Sequence, residues 1–277
     1  MSRLNWIVTP LALAIGLAGC AQQEGPSEAP DTTEQVAQYT IEDFLGATTY
    51  LGASFSPDGS RILVSSDESG VFNAYTIPID GSAPVQLTFS DDDSVFVESY
   101  FPEDERFLFS QDKGGDELDH LFVQEEDGTV TDLTPGEGLK AIFEGWTQDD
   151  RHFIVATNER DQKFFDVYLY ARDGYEREMI YQNDEGYDLQ AVSPDLRYLA
   201  LVKSRTTNDN DLYLFDRQGE KLTHLTPHEG DVSHEAEAFT IDGDGLYYLT
   251  DRDSEFKYLA SYDPVSYTHL TLPTTSP

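Results

Sequence analysis

Cysteine is nearly absent: one residue, Cys20, stands in a chain of 277, so no disulfide can form within it. Basic side chains are scarce as well. Seventeen Lys and Arg face 53 Asp and Glu, and a formal charge of -36 repels phosphate backbones, which excludes nucleic acid as a partner. Sustained 3.6-residue periodicity is missing, which argues against paired-helix repeats. The nucleophile elbow G-x-S-x-G does not occur. Its nearest approach, Gly52-Ala53-Ser54-Phe55-Ser56, lacks the second glycine. H-E-x-x-H, a phosphate loop and a dinucleotide fingerprint are also missing, so the sequence offers no catalytic residue and no cofactor site.

What is present begins with an export signal. Met1-Ser2-Arg3 precedes an apolar run from Leu4 to Gly19, too short for a comfortable membrane span, that ends Leu17-Ala18-Gly19-Cys20. Those last four residues match the bacterial lipobox. Residues 1–19 therefore read as a lipoprotein signal peptide and Cys20 as the lipidated residue, a membrane anchor. Ala21 in second place, rather than Asp, fits release to a Gram-negative outer membrane, facing the periplasm. Residues 20–38 are rich in Gln, Glu, Pro, Ser and Thr and have little to bury, so they read as a flexible tether.

From there the chain repeats itself. Phe55-Ser56-Pro57-Asp58-Gly59 returns in altered form at Tyr100, Trp146, Val192 and Phe239, lead positions about 45 to 47 residues apart. Each lead residue meets a Pro/Asp/Gly-type turn and a second apolar strand. An alternating third strand follows, as in Asp166-Val167-Tyr168-Leu169-Tyr170. A turn such as Asp127-Gly128 then leads to a last short strand ending in Leu-Thr. Four short strands per unit predict an all-β fold, a β-propeller with about five four-stranded blades in an incomplete ring over residues 39–264. The fifth repeat reads as stopping at its third strand. Residues 265–277 contain no Asp, Glu, Lys or Arg, and Ser266-Tyr267-Thr268-His269-Leu270-Thr271-Leu272-Pro273 resembles an adaptor-derived tail, so they are expected to be non-native and His269 to have no role.

Candidate chemistry is thin. His224, His228 and His234, with Glu229 and Glu235, could hold zinc if folded together. However, Leu225-Thr226-Pro227-His228-Glu229-Gly230 copies Leu133-Thr134-Pro135-Gly136-Glu137-Gly138 of an earlier unit, which assigns His228 to a polar inter-blade turn. Asp91-Asp92-Asp93 and Asp242-Gly243-Asp244-Gly245 do not complete a calcium loop, and no metal is expected. A more regular pattern lies two residues before each lead position: Ala53, Glu98, Glu144, Gln190 and Glu237. First strands border a propeller's channel, so Glu98, Glu144 and Glu237 are candidate channel carboxylates that would attract cations or the ammonium end of a peptide. Hydrogen bonding between blades is the competing role for these positions.

The lipobox, the tether, the lead-in Tyr39-Thr40-Ile41-Glu42-Asp43-Phe44-Leu45 and Phe55-Ser56-Pro57-Asp58-Gly59 together resemble the N-terminal part of bacterial prolyl oligopeptidase-family serine peptidases, the group with dipeptidyl peptidase IV-like and acylaminoacyl-peptidase-like members. The resemblance covers roughly residues 39–264. It implies a propeller that admits peptide substrates to a C-terminal α/β-hydrolase domain carrying a Ser-Asp-His triad. No position here matches that triad, so the hydrolase is missing from this chain. The Ser-Pro-Asp-Gly turn is shared with the Tol-system periplasmic propeller, which leaves a non-catalytic binding or scaffolding role open. A propeller enzyme with a central metal, such as a lactonase, is a third possibility.

Overall fold

The computed structural model describes residues 38–271, in two units that meet between Ala47 and Thr48. Cys20, the signal peptide and most of the tether lie outside the described residues. The first unit holds one short helix, α1 (Ile41–Leu45). Thr40 and Asp43 close it with a reciprocal capping box, in which the Asp43 N–H donates to the Thr40 hydroxyl and the Thr40 N–H to the Asp43 carboxylate. Among the described residues, no helix is long and apolar enough to cross a membrane.

The second unit is a β-propeller of five four-stranded antiparallel sheets, each with its strands in chain order. Blade 1 comprises β1 (Tyr50–Phe55), β2 (Arg61–Ser66), β3 (Asn73–Pro78) and β4 (Val85–Gln86). Blade 2 comprises β5 (Phe96–Tyr100), β6 (Phe107–Gln111), β7 (His120–Gln124) and β8 (Val130–Asp132). Blade 3 comprises β9 (Ala141–Trp146), β10 (His152–Asp161), β11 (Phe164–Ala171) and β12 (Arg177–Tyr181). Blade 4 comprises β13 (Asp188–Val192), β14 (Tyr198–Thr206), β15 (Asp209–Asp216) and β16 (Lys221–His224). Blade 5 comprises β17 (His234–Phe239), β18 (Leu246–Thr250), β19 (Tyr258–Asp263) and β20 (Thr268–Thr271).

The last of these strands corrects the reading of the fifth repeat as three-stranded. Thr268, His269, Leu270 and Thr271 pair in register with Asp263, Tyr262, Ser261 and Ala260, and the Tyr248 hydroxyl lies 2.9 Å from His269 Nδ1. A strand needs backbone partners and alternation, not charge, so the uncharged segment completes the sheet.

The repeated motifs have defined mechanical roles. In the first turn of blade 1 the Ser56 hydroxyl donates to Asp58 Oδ1 at 2.7 Å, and the same aspartate accepts the Ser60 N–H at 3.0 Å. Those bonds hold the Asp58 carboxyl down to about 2. Gly59 takes φ +68°, a left-handed conformation that closes the turn and that glycine adopts without strain. Thr147 with Asp149 and Ser193 with Asp195 repeat the hydroxyl-to-carboxylate bond, both at 2.7 Å. The terminal Leu-Thr pair lies just past the fourth strand and clamps one residue of the third. In blade 4, Leu225 N–H donates to the Leu212 carbonyl while the Thr226 hydroxyl accepts the Leu212 N–H, both at 2.8 Å. Leu87-Thr88 does the same to Ala74, and Leu133-Thr134 to Leu121.

Blades bury their faces against each other. Phe101, Leu108, Leu121 and Val123 of blade 2 share a core with Phe153, Val155, Tyr168 and Tyr170 of blade 3. Blades 1 and 2, 3 and 4, and 4 and 5 form corresponding cores. The lead residue of each later blade packs onto the blade before it: Tyr100 joins the core with Leu63, and its hydroxyl lies 3.2 Å from Thr76 Oγ1. Phe55 of blade 1 has no such neighbour among the described residues and is 66% exposed.

Candidate functional site

First strands touch between blades 1 and 2, 2 and 3, and 4 and 5, which defines the axial side of the sheet series. Ser54 of β1 and Ser99 of β5 bring their hydroxyls to 3.5 Å, and Trp146 of β9 donates its indole N–H to Ser99 Oγ at 3.0 Å. Gln190 of β13 reaches β17, where its Oε1 accepts the Ala236 N–H at 2.7 Å.

Each of these five strands carries a β-bulge at the same place. In β5, Val97 pairs with Phe109 and Ser99 with Leu108, so Glu98 is the unpaired extra residue. Glu144 is the extra residue between Gly145 and Phe143 of β9, Gln190 between Leu189 and Ala191, and Glu237 between Ala236 and Ala238. In β1 the irregularity spans Gly52 and Ala53. The five positions singled out by sequence are thus the five bulges. A bulge frees its residue from the ladder and re-aims the side chain, which is why bulges recur beside functional sites.

The carboxylates differ in setting. Glu144 presents solvent-accessible surface yet is crowded by surrounding protein, as a side chain in a concavity is. Loss of hydration pushes its carboxyl up to about 7, with the negative charge of Asp188 adding to the shift. Asp188 begins β13 and is itself raised by desolvation. Glu98 is half-buried and also raised; desolvation drives the shift, the Ser110 hydroxyl opposes it and Asp119 reinforces it. Glu237 is exposed. The arrangement brings Glu144 into the field of Asp188, and it gives Gln190 the inter-blade bond that was the competing reading. Asp188 was not foreseen because, of its counterparts four residues before the lead positions, only Glu235 is acidic, while Leu51, Phe96 and Ile142 are apolar. A crowded carboxyl poised near neutrality beside a second carboxylate gains from any cation or ammonium group that restores its charged form.

His228 occupies the expected turn between β16 and β17 but buries its side chain there, whereas His224 ends β16 and is exposed. His228 is 2% exposed at its side chain, with Nε2 2.8 Å from Asp209 Oδ1 and Nδ1 2.8 Å from the Thr226 carbonyl. His224 Nε2 lies 2.8 Å from Asp211 Oδ1. His234 is buried and directs Nδ1 to the Asn210 carbonyl at 2.9 Å. Among the described residues, no three His, Cys, Asp or Glu side chains converge as metal ligands. Asp242 is occupied by its own turn, accepting from the Thr240 hydroxyl at 2.5 Å. A cavity of about 580 Å³ beside blade 2 is lined by Gln111, Lys113, His120, Asp132 and Glu137. It lies apart from the bulges, and its His120 and Asp132 satisfy each other at 2.9 Å.

Solved structures share this fold. Prolyl oligopeptidase B from Galerina marginata aligns over 82% of this chain and 34% of its own, with 13% identity and a TM-score of 0.60. An oligogalacturonate lyase from Vibrio parahaemolyticus aligns over 79% of this chain and 64% of its own, with 16% identity and a TM-score of 0.58. TolB from Acinetobacter baumannii aligns over 82% of this chain and 55% of its own, with 17% identity and a TM-score of 0.50. The chain spans about half of that TolB and a third of that oligopeptidase. No protein-family model matches the chain, and no curated protein matches it.

Proposed function

We propose that this chain is the substrate-gating propeller of an exported, lipid-anchored serine peptidase of the prolyl oligopeptidase family, whose hydrolase domain supplies the chemistry. Cys20 would carry the lipid and hold the protein at the outer membrane, facing the periplasm. Peptides would pass the first strands on their way to the hydrolase. The observation that carries the reading is the recurrence of Glu98, Glu144 and Glu237 at equivalent bulges of those strands. An acidic lining favours peptides with a free amino terminus over acylated ones. The likeness to a prolyl oligopeptidase propeller supports the same reading.

The test is the triple substitution Glu98→Gln, Glu144→Gln and Glu237→Gln in the parent protein. Its kcat/KM for free-amino peptides is expected to fall about tenfold relative to N-acylated peptides, about 1.4 kcal/mol of lost ammonium attraction. An unchanged ratio removes the carboxylates from substrate selection. The likeness to TolB favours a second reading, a periplasmic binding propeller without catalysis. A G-x-S-x-G elbow encoded downstream of Pro264 in the gene selects the peptidase, and a frame ending within one or two further blades selects the binding protein.

A further inference from the structure

The start of the third strand is a recurring anchor point for the turn that leads to the next blade, and its chemistry changes from blade to blade. In blade 1 the anchor is Asn73, fully buried and uncharged. Its Oδ1 accepts the Ser90 N–H at 2.8 Å and the Thr88 hydroxyl at 2.9 Å, and its Nδ2 donates to the Ser90 carbonyl at 2.9 Å. In blade 3 the anchor is Asp166, also fully buried. It accepts the Asn183 N–H at 2.7 Å and two bonds from Arg160, at 2.7 and 2.9 Å. Arginine keeps its charge at any pH the fold survives. In blade 4 the anchors are Asp209 and Asp211, and the turn meets them with an imidazole.

The bonding of that imidazole fixes its protons. A carbonyl oxygen only accepts, so His228 Nδ1, 2.8 Å from the Thr226 carbonyl, carries a hydrogen. Nε2 lies 2.8 Å from Asp209 Oδ1, and the other oxygen of that carboxylate faces Arg205 Nη1 at 3.5 Å. An ionised carboxylate also only accepts, so Nε2 carries a hydrogen too. Both ring nitrogens donate, and the ring is an imidazolium.

We propose that His228 is a proton-dependent latch between blades 4 and 5, holding the turn from Thr226 to Gly230 against β15 while it is charged and releasing it on deprotonation. The groups that face it come from every neighbouring element. Arg205 arrives from β14, with bonds to both Asp209 and Asp211. Asp211 Oδ1 lies 3.2 Å from Nδ1 and also binds His224 of β16. His234 of β17 stands with its ring 5.1 Å away. Arg252, just past β18, donates to the Pro227 carbonyl at 2.9 Å. His234 does not compete for the charge: burial holds its imidazole below the ordinary range, and its Nε2 is buried without a partner. For His228, burial alone would lower the imidazole, but the bonds to Thr226 and Asp209 outweigh it and the net shift is upward.

The direction of the effect follows. A histidine whose folded value lies above its unfolded one stabilises fully below the unfolded value of about 6.5, and that stabilisation is lost as pH rises through the folded value. Release therefore occurs on the alkaline side. No counterpart exists in the Asn73 or Asp166 anchors, which hold no group that titrates there.

The experiment is an NMR titration of the whole chain carrying isotope-labelled histidine, with amide hydrogen exchange over residues 225–234. His228 is expected to titrate above 6.5, and exchange of that segment, corrected for base catalysis, to rise with pH in step with it. Asp209→Asn is expected to lower the midpoint by about one unit, and His228→Gln to flatten the exchange profile. A His228 midpoint at or below 6.5 in the natural chain overturns the latch, even if His228→Gln fails to fold. So does an exchange profile unaltered by either substitution.

Discussion

Replacing Phe153 by alanine is expected to lower the unfolding free energy by about 3–5 kcal/mol, the cost of emptying a large aromatic site in a core that cannot collapse around it. Phe153 is fully buried on β10 and faces blade 2. Its ring stacks on Tyr170 at 5.2 Å and meets Trp146 at 5.3 Å and Phe101 at 6.2 Å, the latter two edge-on. Two blades close over one side chain, so neither can relax without disturbing the other. Phe153→Leu retains most of the volume and should cost less than about 1.5 kcal/mol. Urea denaturation of both variants checks the pair. A Phe153→Ala loss below about 1 kcal/mol would mean that the blades do not share this core.

Asp166→Ala is expected to be damaging for a different reason. Asp166 is completely buried and accepts the N–H of Asn183, itself buried, as well as two bonds from Arg160. Alanine leaves that backbone N–H without an acceptor in the interior, which costs about 1–3 kcal/mol. It also frees Arg160 Nη2 from all but the Asn183 carbonyl at 2.6 Å and Asp184 at 3.0 Å. Arg160 is about a third exposed, so water recovers part of its loss. Asp166→Asn keeps one carbonyl oxygen for Asn183 and should recover much of the stability. Equal melting temperatures for Asp166→Ala and the natural chain would contradict the anchoring role given to the third-strand start.

The repeat was legible because its punctuation is local: Ser-Pro-Asp-Gly at the first turn and Leu-Thr at the end of the sheet occur wherever the backbone needs them. The positions of Glu98, Glu144 and Glu237 were legible by the same alignment, but the bulges that free them were not. A bulge is a mismatch between two strands, two residues against one, and a single strand carries no mark of it. Asp188 escaped because three of the five blades have an apolar residue there, Leu51, Phe96 and Ile142, so the position shows no repeating chemistry. His228 stands in the turn the repeat assigned to it, but its burial was not legible, for a related reason. Its turn copies Leu133 to Gly138, where Gly136 stands in its place, and the copy reads as polar without showing what would cover it. What buries the imidazole is the pair Asp209 and Asp211, about 20 residues earlier and on one face of β15. Two acids at alternate strand positions opposite a histidine were the available signal. The fourth strand of blade 5 was missed because a shift in composition was taken as an end of structure.

The central claim is that successive sheets stand side by side with their first strands adjacent along one axis. It can be tested by covalent capture. In a Cys20→Ser background, Ser54→Cys and Ser99→Cys place thiols where two hydroxyls lie 3.5 Å apart, within reach of a disulfide. Mild oxidation and peptide mass spectrometry are expected to find that pair linked within one chain, and Ser54→Cys with Ala191→Cys, three blades apart, unlinked. Failure of the first pair to join, or equal joining of the second, would contradict the propeller arrangement.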